Sequence, residues 1–250
     1  MDRLIDWDEP WLVSLRPLRP CLRADDWRGA LTAAARERAI VSGEGAPIAF
    51  VDPDAAGSTP YEQHIARTGE EPTRANLHDL FNALIWLACP LTKAALNARQ
   101  AQEIARHGVG PVRGAVRDAA TLIDESALLL VCGDPAIVRA LQDHDWRTLL
   151  IDNRARWGRD IAVLPFGHAL LEKLAGPFKA ISACVVVLPA TADVDAAGAT
   201  FVARPDLAPP LLPHLPVMGI PGWCNENADP RFYDDPQVFR PRRRVVATET

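Results

Sequence analysis

Residues 76–89 read NLHDLFNALIWLAC, and their pattern decides the fold class. Apolar side chains occupy so much of the helical circumference that the stretch predicts a helix buried on most of its surface. Asn76 is the predicted N-cap, and Pro90 is expected to stop the helix at Ala88 or Cys89. Such a helix needs other elements packed around it, so we expect a helix-rich fold.

Helices are predicted on both sides of this central helix, and short strands complete the fold. The other helical segments are residues 25–41, 60–67, 92–107, a segment that starts at 134–135, 146–157 and 167–174. Strands are predicted at 48–51, 161–164 and 181–188, and a β-hairpin at 121–131 that turns at Asp124-Glu125-Ser126. The prediction is an α+β fold: a helix-rich single domain over residues 1–250, with a β-hairpin, a small mixed sheet and a loop-rich C-terminal segment after Ala190.

The composition is that of an ordinary globular protein. Hydrophobic residues make up 48% of the chain and charged residues 24%, which argues against disorder. The five cysteines form no C-x-x-C pair, so they predict neither a zinc ribbon nor a disulfide framework, and a reducing compartment fits them best. The N-terminus is acidic where a signal peptide is basic, and no apolar run reaches the roughly 20 residues of a membrane span. We expect a cytoplasmic protein with no membrane partner.

The net charge of −5 narrows the choice of partners. Proteins that bind duplex nucleic acid usually carry a basic face, because phosphate contacts supply much of the affinity. Arg240 and residues 242–244 form a local basic run, which a solvated C-terminal tail explains. We therefore do not expect nucleic acid as a partner. The expected partner is an unidentified small molecule or protein.

The first polar candidates lie on the central helix. His78 and Asn82 are four residues apart, so they share one side of an otherwise apolar helix. A buried polar group without a partner costs ~1–3 kcal/mol, so this pair must meet polar groups on other elements. Asp79 has two explanations: it belongs to a functional site, or it satisfies free amides at the start of the helix.

The second candidates lie on the helix that follows Gly167. His168 and Glu172 are again four residues apart, and a histidine and a carboxylate on adjacent turns can bind a divalent metal or act as an acid–base pair. An ordinary hydrogen bond on the helix surface is the alternative, which the neighbouring Lys173 favours. Gly167 would let another backbone or a ligand approach closely.

A third, acidic group surrounds the predicted hairpin. Asp124 and Glu125 are expected to be solvated turn residues, whereas Asp118 enters a strand and can point inwards, against Arg117 or towards His78. No common nucleotide-binding, serine-hydrolase or zinc-protease motif occurs. His78-Asp79 resembles the HD dipeptide of metal-dependent phosphohydrolases, with His64 as an extra ligand, but no second set of ligands is well placed.

Longer stretches carry a second resemblance. They are residues 61–63, 72–74, 76–86, 92–97, 117–125, 166–173, 221–223 and 229–240, of which HDLFNAL at 78–84 is the most specific. Together they resemble a bacterial family, domain of unknown function 3025, over residues 50–240. The resemblance implies one domain and places all the polar candidates in shared motifs, but it implies no reaction. Lys93, within 92–97, joins Asn82 and Asp118 as a binding candidate.

Two functions are consistent with these residues. The first is a metal-dependent hydrolase whose catalytic residues also bind a divalent ion, and zinc, manganese or iron suits such ligands. Its residues are His78, Asp79, His168 and Glu172. The second is a non-catalytic binding or scaffold protein whose polar pairs hold helices and loops together. Replacing either histidine with alanine should destabilise a scaffold markedly and leave the stability of an enzyme nearly unchanged.

Overall fold

The predicted central helix is present in the computed structural model, which describes residues 2–53, 59–108, 114–191 and 193–242. It is helix α3, Leu77–Ala88, and every residue from Asp79 to Leu87 is buried. Asn76 caps it as expected, because its Oδ1 accepts a hydrogen bond from the Asp79 amide at 2.8 Å. The next helix begins at Pro90, and the two helices are bent by 114° at this break.

The other helices surround α3. In chain order, the α-helices of the described residues are α1 (Trp27–Glu37), α2 (Tyr61–Thr68), α3, α4 (Pro90–His107), α5 (Ala115–Ser126), α6 (Pro135–Asp143), α7 (His168–Leu174) and α8 (Val194–Val202). A π-helical turn, Arg147–Asp152, and a 3₁₀ turn, Arg154–Arg156, occupy the segment for which one helix is predicted. None of the described helices has by itself the length and apolar composition to cross a membrane, and α3 with α4 does so only as a bent pair.

The strands of the described residues form two sheets. In the smaller sheet, β1 (Ala49–Val51) runs parallel to β2 (Glu70–Pro72). The larger sheet has the order β4–β3–β5–β6, and its strands are β3 (Ala127–Cys132), β4 (Ile161–Pro165), β5 (Ser182–Leu188) and β6 (His214–Pro216). β3 and β5 are parallel and both outer strands are antiparallel, so this sheet is mixed. The helix-rich α+β class and the small mixed sheet are confirmed.

The predicted β-hairpin at 121–131 is wrong. Its first half belongs to α5, whose buried residues Ala119, Ala120 and Ile123 recur at a helical spacing. Only the second half is a strand, β3, and its antiparallel partner is the distant β4. The polar triplet before β3 therefore forms the last turn of a helix, not a hairpin turn.

The prediction of loops after Ala190 is also wrong in part. Helix α8 lies there, and its small side chains allow it to pack closely against α4. A Cβ added to Gly198 would lie 2.5 Å from Thr92 Oγ1. Asp195 in turn accepts hydrogen bonds from the amides of Leu91 and Thr92, at the start of α4. Contacts with α4 therefore stabilise α8. The short apolar pattern of α8 does not by itself predict a helix.

Beyond α8 the chain packs back onto the core. Trp223, Tyr233 and Phe239 are buried, and Trp223 contacts Trp11 with ring centroids 5.6 Å apart. Of the predicted basic run, Arg242 forms an ion pair with Asp143 at 2.8 Å, and residues 243 and 244 lie outside the described residues. The aromatic residues of this segment therefore cover the core.

Candidate metal centre and its cavity

The two helices that carry His78 and His168 meet. His78 lies in the first turn of α3 and His168 is the first residue of α7. Their rings are perpendicular, with centroids 4.4 Å apart, and their Nε2 atoms are 3.0 Å apart. The fold therefore brings together the histidines of the two candidate pairs.

Glu125, in the last turn of α5, completes a cluster of three. Its Oε2 lies 3.6 Å from His168 Nε2, and one ligand atom from each of His78, Glu125 and His168 lies within 4.8 Å of the other two. Gly167 makes this approach possible, because a Cβ there would lie 2.4 Å from the Ser126 amide nitrogen. The backbone of α7 thus comes against the end of α5 as the position of this glycine predicts.

Glu172 contacts the cluster from the other side of His78. Its Oε2 lies 2.9 Å from His78 Nδ1, which donates the hydrogen bond to the carboxylate. With its proton on Nδ1, a neutral His78 directs the Nε2 lone pair towards His168. Glu172 therefore orients His78 and is not one of the three clustered groups.

Asp79 does not face the histidines. Its carboxylate accepts hydrogen bonds from the Arg74 amide, Nε and Nη2, at 2.7, 2.8 and 3.0 Å. Burial alone would raise the pKa of Asp79, but the Arg74 hydrogen bonds outweigh it and lower the pKa. Asp79 thus links the first turn of α3 to Arg74, which precedes the helix. This is close to the structural role at the helix start, one of the two explanations predicted for Asp79.

Behind the cluster lies a buried ion pair. The Lys93 ammonium donates to Asp124 Oδ1 at 2.6 Å and to Asn82 Oδ1 at 2.7 Å. Asp124 Oδ2 lies 3.9 Å from His168 Nδ1, so its charge faces that ring. Burial lowers the pKa of His168 and the Lys93 charge adds to this, although Asp124 opposes it. His168 is therefore neutral at neutral pH, which is the form that binds metals.

Asn82 joins this pair to a second buried carboxyl group. Its Nδ2 donates to Glu71 Oε1 at 2.9 Å, and Trp86 Nε1 donates to Glu71 Oε2 at 3.1 Å. The Tyr61 hydroxyl also donates to Glu71. Burial raises the pKa of Glu71 to about 8, although Lys93 and the Tyr61 hydroxyl oppose it. Asn82 thus meets polar partners on other elements, as its place on an apolar helix requires.

The cluster opens into a polar cavity of about 510 Å³. This volume is in the range of small-molecule sites. Besides the three clustered residues, the wall includes Glu62, Gln100 and Arg117. Burial raises the pKa of Glu62 to about 7, and Asp124 adds to this while Lys93 opposes it. The cavity beside the histidines is therefore lined by several titratable side chains.

The remaining candidates are placed as follows. Lys93 and Asn82 lie in the network behind the cluster, and His64 lies on α2 with Nε2 3.3 Å from Glu70 Oε2. Asp118 is exposed in the first turn of α5, so the expectation that it enters a strand and points inwards is wrong. Asp124 is buried, not solvated.

Glu125 and Asp124 were expected to be solvated turn residues, and Glu62 was not predicted as a site residue at all. The first two were assigned to a turn, and the helical spacing of the alanines before them could have placed them on α5. Glu62 lies where a glutamate often caps the start of a helix, but no side chain caps α2. Instead, Asn97 Nδ2 donates a hydrogen bond to Glu62 Oε2 at 2.8 Å.

The spacing of the clustered atoms suits a shared ion. At zinc bond lengths of roughly 2.0–2.2 Å, two ligand atoms on one ion lie roughly 3 to 3.5 Å apart. The His78–His168 separation of 3.0 Å and the His168–Glu125 separation of 3.6 Å are close to this. Two histidines and a carboxylate leave further coordination positions open for water or substrate.

Comparison with known proteins gives a family but no activity. A family model described as a protein of unknown function, DUF3025, matches residues 48–243. No curated protein and no solved structure matches the chain. The matched region contains the three clustered residues and every residue of the cavity wall. The chain belongs to the DUF3025 family.

Proposed function

We propose that this protein is a metal-dependent hydrolase in which His78, His168 and Glu125 bind one divalent ion. The observation that carries the proposal is the convergence of three ligand atoms within 4.8 Å on the wall of a cavity. This ligand set differs from the one predicted from sequence: Glu125 takes the place of Asp79, and Glu172 binds His78 from behind.

The surrounding residues support metal binding over a purely structural pairing. Glu172 holds the His78 tautomer that directs Nε2 to the ion, and such carboxylate–histidine pairs are typical of metal sites. Asp124 faces the other histidine from behind, at 3.9 Å, and is itself held by Lys93. A carboxylate outside the ligand set thus hydrogen-bonds one ring, and the charge of another faces the second ring.

Hydrolysis is the chemistry that the cavity suits. A bound divalent ion would lower the pKa of a coordinated water and supply a nucleophile at neutral pH. The water must lose a proton and the leaving group must gain one, and groups that titrate near neutrality serve both steps well. Glu62, with a pKa of about 7, lines the same cavity.

Hydrolysis is tested on the full chain after chelator treatment and reloading with zinc, manganese or iron(II). Chromogenic esters, phosphate esters and aminoacyl amides serve as substrates. We expect metal-dependent turnover of one class, which His168→Ala and Glu125→Gln abolish. The control His107→Ala replaces a histidine on the exposed end of α4 and should keep full activity. If the chain binds metal and hydrolyses none of the three classes, the hydrolase function is wrong.

The scaffold alternative predicts a different result for the same variants. A structural His78–His168 contact, removed without metal present, should lower the free energy of unfolding by about 1–3 kcal/mol. A metal site that brings two histidines and a glutamate together should instead keep or gain stability when one ligand is removed from the metal-free chain. Urea denaturation of His78→Ala and His168→Ala in chelator therefore separates the two functions.

A further inference from the structure

We infer that the cavity wall formed by Gln100, Arg117 and Glu62 binds a small zwitterion, a molecule with one ammonium and one carboxylate group. This inference names the substrate class and rests on the proposed function for the reaction at the other end of the cavity. Binding to this wall is measurable without metal, so the two claims can fail separately.

Gln100 is a buried polar side chain whose amide has no partner. It is 7% exposed and lines the cavity, and its carboxamide makes no hydrogen bond to any described residue. Its carboxamide is accessible from the cavity, so a molecule there can hydrogen-bond it. In comparison, both ends of the Asn97 amide, one turn earlier on α4, have partners: Nδ2 donates to Glu62, and Oδ1 accepts from the Gly43 amide. Gln100 is thus available to a ligand as both donor and acceptor.

Arg117, a cation, and Glu62, an anion when ionised, line the same cavity without forming an ion pair. Within the described ranges, no carboxylate lies within 4.0 Å of the Arg117 guanidinium, whose one hydrogen bond is to the Gly108 carbonyl at 3.5 Å. Glu62 has its Oε2 bound to Asn97, and no described residue hydrogen-bonds its Oε1. Two charges that stay apart leave room for a ligand between them.

Other charged side chains at this site form ion pairs. Arg74 lies 2.8 Å from Asp79, and Lys93 lies 2.6 Å from Asp124. These pairs neutralise each other, so they leave no charge free for a ligand. Apart from the proposed metal ligand Glu125, the unpaired charged groups among the described residues of the cavity wall are Arg117 and Glu62.

This arrangement suits a dipolar ligand better than a singly charged one. A guanidinium binds a carboxylate through two parallel hydrogen bonds, and the free Glu62 oxygen can accept from an ammonium group. An anion alone would be repelled by Glu62, and a cation alone by Arg117. Along α5, eight residues separate Arg117 from Glu125, a rise of about 12 Å. The charged end of the substrate thus lies two turns from the metal ligands.

The test uses ω-amino acids, which vary the distance between ammonium and carboxylate. Isothermal titration of the metal-free full chain compares aminopentanoate with pentanoate and pentylamine, and then with shorter and longer ω-amino acids. We expect the zwitterion of the best length to bind about tenfold more tightly than either singly charged analogue. Arg117→Gln and Gln100→Leu should each weaken it about tenfold, and zinc affinity should stay within about twofold. The control Arg67→Gln, exposed on α2, should change neither.

The inference is overturned if the zwitterion binds no better than pentanoate or pentylamine. It is equally overturned if Arg117→Gln leaves its affinity unchanged, and this variant tests the claim even if Gln100→Leu fails to fold. Zwitterion binding without any metal binding would instead reject the proposed function and leave the recognition site standing. Metal binding without zwitterion binding would reject the recognition site and leave the proposed metal centre standing.

Discussion

The Nε2 atoms of His78 and His168 lie 3.0 Å apart, although 90 residues separate the two histidines in the chain. Two arrangements bring imidazole nitrogens this close: one donates a hydrogen bond to the other, or both bind one ion. Because Glu172 accepts from His78 Nδ1, His78 Nε2 is left as an acceptor or a ligand. The presence of Glu125 beside His168 favours the ion, since a carboxylate adds the negative charge that a cation needs.

Glu172→Gln should weaken metal binding without abolishing it. Glutamine can still accept from His78 Nδ1, but the negative charge that raises the basicity of Nε2 is lost. We expect zinc affinity, measured by competition with a chromophoric chelator, to fall about 10- to 100-fold. Glu37→Gln, on the exposed end of α1, is the matched control. An unchanged affinity would mean that Glu172 is only a surface partner of His78.

Gly167→Ala should separate α7 from α5. The new Cβ would meet the backbone nitrogens of Ser126 and Ala127 at 2.4 and 2.5 Å, so the backbone must shift and move His168 away from Glu125. We expect about 1–3 kcal/mol lower stability and a larger loss of zinc affinity than in any surface variant. Gly176→Ala, at the other end of α7, has nothing within 4 Å of its Cβ and should behave as wild type. Normal zinc binding by the Gly167 variant would contradict the placement of His168.

Lys93→Met should be strongly destabilising, because it leaves the Asp124 carboxylate buried without its partner. The expected loss is about 3–5 kcal/mol in urea denaturation. Adding Asp124→Asn should restore part of it, since the unpaired charge is then removed. In comparison, Arg204→Ala breaks an exposed pair with Asp206 that solvent screens, and it should cost little stability. Additive losses in the double variant would show that the two side chains do not interact.

The stability of the protein should fall with rising pH through the range in which Glu71 titrates. Burial raises its pKa from 4.5 to about 8, so the folded chain holds a proton that the unfolded chain has released. Its contribution is therefore complete below the unfolded pKa and is lost as the pH rises towards the folded value. Glu71→Gln imitates the protonated acid and removes this dependence.

The comparison is the difference in free energy of unfolding between wild type and Glu71→Gln, from about pH 5 to about pH 8. Other groups titrate in both proteins and cancel in this difference. We expect wild type to lose stability relative to the variant at each higher pH. A difference that does not change with pH would mean that Glu71 keeps an ordinary pKa.

The central helix and the positions of the candidates on α3 and α7 were predictable because their information is local, although Glu172 bonds to His78 of the other helix. The apolar period of α3, the Asn76 cap and the i, i+4 spacing of His168 and Glu172 can all be read from short windows. Gly167 also indicated close approach correctly, since a Cβ at this position would meet the backbone of Ser126 and Ala127.

The third ligand could not be predicted in the same way. Glu125 lies where α5 passes directly into β3, and a polar triplet between two apolar runs has the same pattern as a hairpin turn. Which of the two forms depends on β3 pairing with the distant β4 and β5, which no local window contains. Asp79 shows the opposite error: its place beside His78 suggested a ligand, but Arg74 occupies its carboxylate.

The most direct test of the metal centre is the metal content of the chain at equilibrium. Purified full-length protein is dialysed against zinc, manganese or iron(II), and bound metal is measured by elemental analysis alongside Glu125→Gln, the double variant His78→Ala/His168→Ala and the control His107→Ala. We predict about one tightly bound ion per chain in wild type and control, and almost none in the two site variants. The account is contradicted if wild type binds none of the three metals, or if the site variants bind as much as wild type.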